Sequence, residues 1–127
     1  MSERSGIVAT LPLRSLDNGK RRLAHRFSAD ERRQMIMAMC GTVVSALRAS
    51  GVITRIALVS GDAATLDFGR SLGLVPIQER IHDLNSALRT AGEWAAGQAD
   101  EHLIVLPDLP LLSPDDIRGV VESADAA

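Results

Sequence analysis

Four short apolar segments alternate with segments whose apolar residues recur at helical spacing, and this alternation constrains the fold more than any other feature of the chain. The strand-like segments are residues 6–13, 53–60, 74–77 and 103–106. Continuous apolar strands that alternate with helices are typical of a parallel sheet covered by helices on both faces. The sequence therefore predicts an α/β fold with a parallel, Rossmann-like sheet, formed by a single domain over residues 1–127.

The segments between these strands carry helix start and stop signals. Ser28 followed by Glu31 is a capping box, and the apolar residues after it recur at helical spacing until Gly51. Further helices are predicted over residues 63–72, over residues 83–96 and from Ser113 onward. Because right-handed crossovers place the carboxyl ends of parallel strands along one edge, we expect the loops after the strands to cluster there.

Charge is distributed unevenly along the chain. Residues 1–55 hold ten Lys or Arg against four acidic residues, whereas residues 56–127 hold four against twelve. An anion is expected to meet the first part, and the second part could supply carboxylates for a cation, which together suit a phosphate ligand with its metal. Nucleic acid is the weaker choice of anion, because the chain is net acidic and has only two Phe, one Trp and no Tyr for base stacking.

Other features bound the class of protein. The lone Cys40 lies in an apolar helical segment, which excludes an internal disulfide and favours a core position in a reducing compartment. Charged residues or Gly interrupt every apolar run, so no membrane span is predicted, and no signal peptide is expected at the amino terminus. We therefore expect a cytoplasmic protein without a membrane partner.

The first candidate site is the segment after the first strand. Arg14, Lys20, Arg21, Arg22 and Arg26 place five cations within thirteen residues. Triphosphates need several cations because their negative charge is spread over many oxygens, and Arg can bind two oxygens at once. A solvated charged loop is the alternative interpretation. No P-loop or dinucleotide-binding motif is present.

Two further candidates follow later strands. Asp108, between two prolines after the fourth strand, is positioned to hold Mg²⁺ that grips phosphate oxygens, although Asp is also common in such turns. Asn85, at a predicted helix start, offers an amide suited to a nucleobase or ribose, and helix capping explains it equally well.

The remaining polar residues have structural explanations. His25, His82 and His102 lack metal-binding spacing, so exposure or a local hydrogen bond is expected for each. Asp115 and Asp116 are expected to stabilise a helix amino terminus. No residue is convincing as a catalytic nucleophile, because no nucleophile elbow occurs and Cys40 is placed within a helix.

Several short motifs, each weak alone, occur together in a recognisable order. They are Leu11-Pro12-Leu13-Arg14, Lys20-Arg21-Arg22-Leu23, the Ser28-Ala-Asp-Glu-Arg-Arg helix start, Leu84-Asn85-x-Ala87-Leu88 and Asp108-Leu109-Pro110-Leu111-Leu112. Together they resemble the CofC/FbiD family, the 2-phospho-L-lactate or phosphoenolpyruvate guanylyltransferases of coenzyme F-420 biosynthesis. The resemblance implies a fold of the nucleotide-diphosphosugar transferase type. It also implies transfer of GMP from GTP to a small phosphorylated three-carbon acid, with release of pyrophosphate.

The resemblance implies roles for five residues. Lys20, Arg22 and Asp108 are the expected catalytic residues, with Asp108 as a Mg²⁺ ligand, and Arg14, Lys20, Arg22 and Asn85 are expected to bind the nucleotide. Family members continue into an acceptor segment and a second acidic motif, so the chain is expected to lack the carboxyl-terminal part of the family.

Two alternatives to this function stay open. The first is a noncatalytic nucleotide-binding or dimerising module derived from the same fold, and a homodimer is compatible with either interpretation. The second is a molybdopterin nucleotidyltransferase. It is disfavoured because Leu-Pro-Leu-Arg stands where those enzymes have a Gly-rich first loop.

Overall fold

The computed structural model describes residues 6–13, 26–79, 84–99 and 101–106, together with 115 and 117–119. Seven elements follow one another along this part of the chain. They are β1 (Ile7–Pro12), α1 (Ala29–Ala49), β2 (Ile53–Ser60), α2 (Ala63–Ser71), β3 (Val75–Gln78), α3 (Leu84–Ala96) and β4 (Glu101–Ile104). This alternation of strand and helix confirms the pattern predicted from the sequence.

The four strands form one parallel sheet in the order β3-β2-β1-β4. The chain runs outward from β1 through β2 to β3 and then returns, so that β4 pairs with the free side of β1. The strand order therefore reverses between β1 and β4. In open α/β sheets, ligands bind outside the carboxyl ends of the strands at such a reversal.

Helix α1 begins at the predicted capping box. The Ser28 main-chain N–H donates to the Glu31 carboxylate at 2.9 Å, and the Ser28 hydroxyl accepts from the Glu31 main-chain N–H at 3.1 Å. The main-chain bond first, and then the side-chain bond, hold the pKa of Glu31 below its usual value. An N-cap of this kind stabilises a protein by about 1 kcal/mol. The helix ends before Gly51, whose φ of 75° lies in the left-handed region that favours glycine.

Different helices cover the two faces of the sheet, as predicted. On the α1/α2 face, aliphatic side chains from strands and helices form the main core, which includes Ala9, Leu11, Val43, Val44, Leu47, Ile56, Leu58 and Leu66. On the α3 face, the helix contributes small residues, and the packed groups are Val8 with Ala95 and Ala99, and Val59 with Ala87 and Ala91. Side chains alternate between the faces along each strand, which explains how one short strand serves both layers.

Strand β4 lies two residues earlier than the predicted segment 103–106. Its register with β1 runs from Ile7 opposite Glu101 to Thr10 opposite Ile104. The prediction was wrong at both ends because it followed the apolar run, whereas pairing with β1 defines the strand and includes polar residues at its start. At the carboxyl-terminal end of the chain, residues 115 and 117–119 are helical, as expected for a helix that starts at Ser113.

Cys40 is fully buried and packs with Ile36 and the half-buried Leu13, Met37 and Phe68, which confirms its expected core position. Burial raises the pKa of the Cys40 thiol to about 11, so this thiol is protonated and unreactive near neutral pH. Within the described residues, none of the helices is both long enough and apolar enough to cross a membrane.

Candidate functional site

The carboxyl ends of β1 and β4 lie side by side where the strand order reverses. The main-chain N–H of Val105, just beyond β4, donates to the Thr10 carbonyl at 3.0 Å. The N–H of Leu13, just beyond β1, donates to the Val59 carbonyl of β2 at the same distance. These bonds continue the sheet past the ends of both strands. The segments that follow β1 and β4 therefore leave the sheet from neighbouring positions on one edge.

Most of the predicted site residues belong to these two segments and lie outside the described residues. Arg14, Lys20 and Arg22 follow β1, and Asp108 follows β4. Their positions in the sequence, together with the strand order, place the two candidate segments next to each other at their points of departure. Their roles as nucleotide and metal ligands stay predictions.

Asn85 is the predicted site residue that the structure describes. It is the second residue of α3, and its side chain is exposed. Near the start of the helix, Ala87 packs with Val59 at the carboxyl end of β2, whereas Ala95 packs with Val8 near the start of β1. The amino terminus of α3 therefore lies at the predicted edge, on the α3 face of the sheet. Contact of Asn85 with a nucleotide stays a prediction.

A polar pair lies between the two strands of the reversal. The Thr10 hydroxyl and the His102 Nε2 form a hydrogen bond of 2.7 Å, and Thr10 is fully buried. Partial burial lowers the pKa of His102, which favours the neutral imidazole. The sequence analysis expected exposure or a local hydrogen bond for His102, whereas its partner lies on another strand, 92 residues away in the chain. In the sequence, the feature that could have pointed to Thr10 is that it is the single polar residue within an apolar strand.

At the end of β2, polar residues begin the next helix. The Asp62 carboxylate accepts from the main-chain N–H of Thr65 at 3.0 Å and from its hydroxyl at 2.6 Å. The Ser60 hydroxyl accepts from the Asp62 main-chain N–H at 3.1 Å. Asp62 is therefore the N-cap of α2. An acidic residue just after a strand can thus serve the following helix, which is the structural alternative that was open for Asp108.

The sequence reasoning missed Glu79, a buried carboxylate at the same edge. Glu79 directly follows β3, is 5% exposed, and its main-chain N–H donates to the Ser60 carbonyl at 3.1 Å. Because side chains alternate along a strand, Glu79 shares the face of Ile77, which packs against the residues of α3. The available signal was an acidic residue immediately after an apolar strand, the same pattern that drew attention to Asp108.

Within the part of the chain that the structure describes, no group of three His, Cys, Asp or Glu side chains is arranged to hold a metal ion. The predicted Mg²⁺ ligand, Asp108, lies outside that part. Its carboxylate is a suitable oxygen donor for Mg²⁺, which is usually held by one or two carboxylates together with substrate phosphates and waters.

Comparison with known proteins identifies the family. The family model described as "Guanylyl transferase CofC like" matches residues 7–127 of the chain. The chain belongs to this family. The match begins with the first residue of β1 and includes every strand and helix described above.

Relatives within the CofC-like family carry two activity names. A phosphoenolpyruvate guanylyltransferase of Sphaerobacter thermophilus is 34% identical over 115 residues, which cover 90% of this chain and 56% of the relative. A 2-phospho-L-lactate guanylyltransferase of Methanothermobacter thermautotrophicus is 31% identical over 120 residues, which cover 94% of this chain and 53% of the relative. The chain therefore spans about half the length of these relatives.

A solved structure shares the fold of this CofC-like chain. The crystal structure of a protein from Desulfovibrio desulfuricans G20, assigned as a nucleotide-diphospho-sugar transferase, superimposes with a TM-score of 0.76 at 15% sequence identity. The match covers 95% of this chain and 55% of that protein. This similarity confirms the predicted α/β fold, which the chain shares with that protein.

Proposed function

We propose that the protein transfers GMP from GTP to a small phosphorylated three-carbon acid, 2-phospho-L-lactate or phosphoenolpyruvate, in coenzyme F-420 biosynthesis. One observation carries the proposal: the carboxyl ends of β1 and β4 meet where the strand order reverses. A cation-rich segment follows β1 in the sequence, and Asp108 follows β4. Membership of the CofC-like family and the names of the relatives support the choice of guanylyl transfer.

In this proposal, the basic segment binds the triphosphate. Arg14 directly follows Leu13, whose main-chain N–H is bonded to the Val59 carbonyl of β2. Lys20 and Arg22 neutralise charge on the non-bridging phosphate oxygens and act as catalytic residues. Asn85, exposed at the start of α3 on the same edge, contacts the guanosine.

Asp108 holds the metal ion in this proposal. In the sequence it follows Leu106, the last described residue after β4, by two positions. Mg²⁺ bound there would neutralise phosphate charge and stabilise the pyrophosphate leaving group.

The proposed reaction needs no nucleophile from the enzyme. A phosphate oxygen of the acceptor attacks the α-phosphorus of GTP, and the bond from that phosphorus to the bridging oxygen of the β-phosphate breaks. The bridging oxygen leaves with pyrophosphate and carries the electron pair. Positioning and electrostatic stabilisation supply most of the catalysis in such transfers. The buried, protonated Cys40 is consistent with this, because its thiol is unavailable as a nucleophile.

The direct test measures pyrophosphate released from GTP in the presence of Mg²⁺ and each candidate acceptor. We expect Asp108→Asn and Lys20→Ala to lower turnover by roughly 10²-fold or more, the size of effect seen when one transition-state contact is removed. Asp115→Asn is the matched control, because Asp115 is exposed and pairs with Arg118. Unchanged turnover in Asp108→Asn would rule out the metal assignment.

A nucleotide panel separates the alternatives. Preference for CTP would contradict guanylyl transfer and would favour a cytidylyltransferase that acts on molybdopterin. Mg²⁺-dependent GTP binding by calorimetry, with no consumption of any acceptor, would indicate a noncatalytic nucleotide-binding module. We further propose a cytoplasmic location, which the single reduced Cys40 supports.

A further inference from the structure

Strand β2 extends beyond its neighbour β3 at the sheet edge opposite the proposed nucleotide site. The pairing of β2 with β3 begins at Ala57 opposite Val75, so residues 53–56 have no partner strand on that side in the described part of the chain. The space beside them is a cavity of about 240 Å³ that Gly73 and two arginines also line. We call this cavity the Arg48–Arg55 notch.

The two arginines reach the notch from opposite faces of the sheet, and neutral oxygens hold both. Arg48, in the last turn of α1, donates from Nη2 to the Leu72 carbonyl. Arg55 donates from Nη1 to Oε1 of Gln98, just beyond α3, at 2.6 Å. Each guanidinium is therefore oriented by one hydrogen bond, and most of its five N–H donors are not used by these single bonds.

Among the described residues, no carboxylate forms an ion pair with either of these guanidinium groups. Elsewhere in the described chain, Arg70 pairs with Asp67 at 2.5 Å and Arg118 pairs with Asp115. By contrast, no described residue that lines the notch is acidic, and the partners of Arg48 and Arg55 are a carbonyl and an amide. Two arginines that have no acidic partner among the described residues therefore line one open cavity.

We propose that the Arg48–Arg55 notch binds a small oxyanion of the phosphate class. Guanidinium groups bind phosphate oxygens in pairs, and groups that are already held lose less conformational entropy when they bind. The cavity of about 240 Å³ lies below the usual range of about 300–1,000 Å³ for pockets that enclose drug-sized ligands. Inorganic phosphate or pyrophosphate therefore fits it better than a nucleotide does. The proposal does not rest on the proposed function, because the notch lies at the other end of the strands.

The test is a titration of the isotope-labelled chain with inorganic phosphate and then with pyrophosphate, followed by NMR of the main-chain amides. We expect saturable shifts at Ile56 and Gly73. Arg48→Gln and Arg55→Gln should each weaken binding about tenfold, as expected for the loss of one charge-assisted hydrogen bond, and the double variant should abolish the shifts. Arg89→Gln, a change at an exposed arginine of α3, should bind like the unaltered chain.

Three outcomes would overturn the proposal. One is the absence of saturable shifts at Ile56 and Gly73. Another is equal binding by the double variant and by Arg89→Gln. The third is a set of shifts confined to the segment after β1, which would assign anion binding to the proposed nucleotide site alone. Arg55→Gln keeps the test valid if Arg48→Gln disturbs the fold, because the partner of Arg55 is a side chain rather than the main chain of a helix end.

Discussion

The two faces of the sheet are built from side chains of different size. On the α1/α2 face, large aliphatic residues such as Leu11, Leu47 and Leu58 fill the space between the strands and two helices. On the α3 face, alanines such as Ala91 lie directly on the strands. Large side chains hold a helix at a distance and fill the gap, whereas small ones allow close approach with little space left. Substitutions that remove side-chain volume should therefore destabilise the α1/α2 face most, and substitutions that add volume should destabilise the α3 face most.

The α3 face also carries Thr10, a buried polar residue of β1. Thr10 and His102 satisfy each other there by a hydrogen bond between β1 and β4. A hydrogen bond inside a layer of small apolar residues makes this face depend on geometry and protonation as well as on volume. Three substitutions, each with a matched control, test this difference between the two faces.

The largest effect is expected on the α1/α2 face. Leu58 is fully buried in the main core, so Leu58→Ala should lower the free energy of unfolding by about 2–5 kcal/mol through lost burial and an unfilled cavity. Urea denaturation followed by circular dichroism measures this. Leu106→Ala is the matched control, because Leu106 is 42% exposed and its loss should matter far less. Equal losses in the two variants would contradict the assignment of the core.

A smaller loss of stability, caused by overpacking rather than by a cavity, is expected on the α3 face. Ala91 is fully buried against the strands, so Ala91→Leu should cost about 1–3 kcal/mol because the larger side chain forces α3 outward. The same substitution at Ala96, exposed at the end of α3, serves as the control and should be close to neutral. If Ala91→Leu stabilised the protein, the α3 face would contain unfilled space, and the comparison of the two faces would be wrong.

The smallest effect concerns the pH dependence of stability. Burial lowers the pKa of His102 below the ordinary value of 6.5, so the folded state prefers the neutral ring. Above that ordinary pKa this preference has no effect on stability, and the protein loses stability as pH falls through the lowered pKa, because unfolding then takes up a proton. His102→Gln should flatten the part of the profile that lies just below the ordinary pKa of 6.5.

The control for that measurement separates the proton from the hydrogen bond. Thr10→Val removes the partner of His102 but keeps the imidazole in its half-buried position. We expect this variant to be less stable at every pH and to keep the acid slope. The same slope in wild type and His102→Gln would show that another group titrates.

Local sequence signals predicted the helix boundaries well. The capping box at Ser28 and the left-handed Gly51 act on residues only a few positions away, so the local sequence contains the information that fixes both ends of α1. Strand β4 was misplaced by two residues because its limits depend on the register with β1, about 90 residues earlier in the chain. Such pairing leaves no local trace at polar positions such as Glu101.

For the candidate site, the sequence supplied residue types and left their neighbours undetermined. The basic segment and Asp108 are far apart along the chain, and the pairing of β1 with β4 brings their starting points together. Glu79 escaped notice because burial depends on tertiary packing. The same holds for Arg48 and Arg55, which look like ordinary surface cations until the shortness of β3 opens a notch between them.

The sequence alone determined the alternation of strand and helix, the helix caps, the apolar faces and the family, because each depends on periodicity, side-chain chemistry or short motifs. Only the tertiary structure decided which strands are neighbours, where the strand order reverses and which polar groups are buried. These properties depend on contacts between residues distant in the chain, and the free energy of such contacts is defined only when the whole sheet and its two helical layers have assembled.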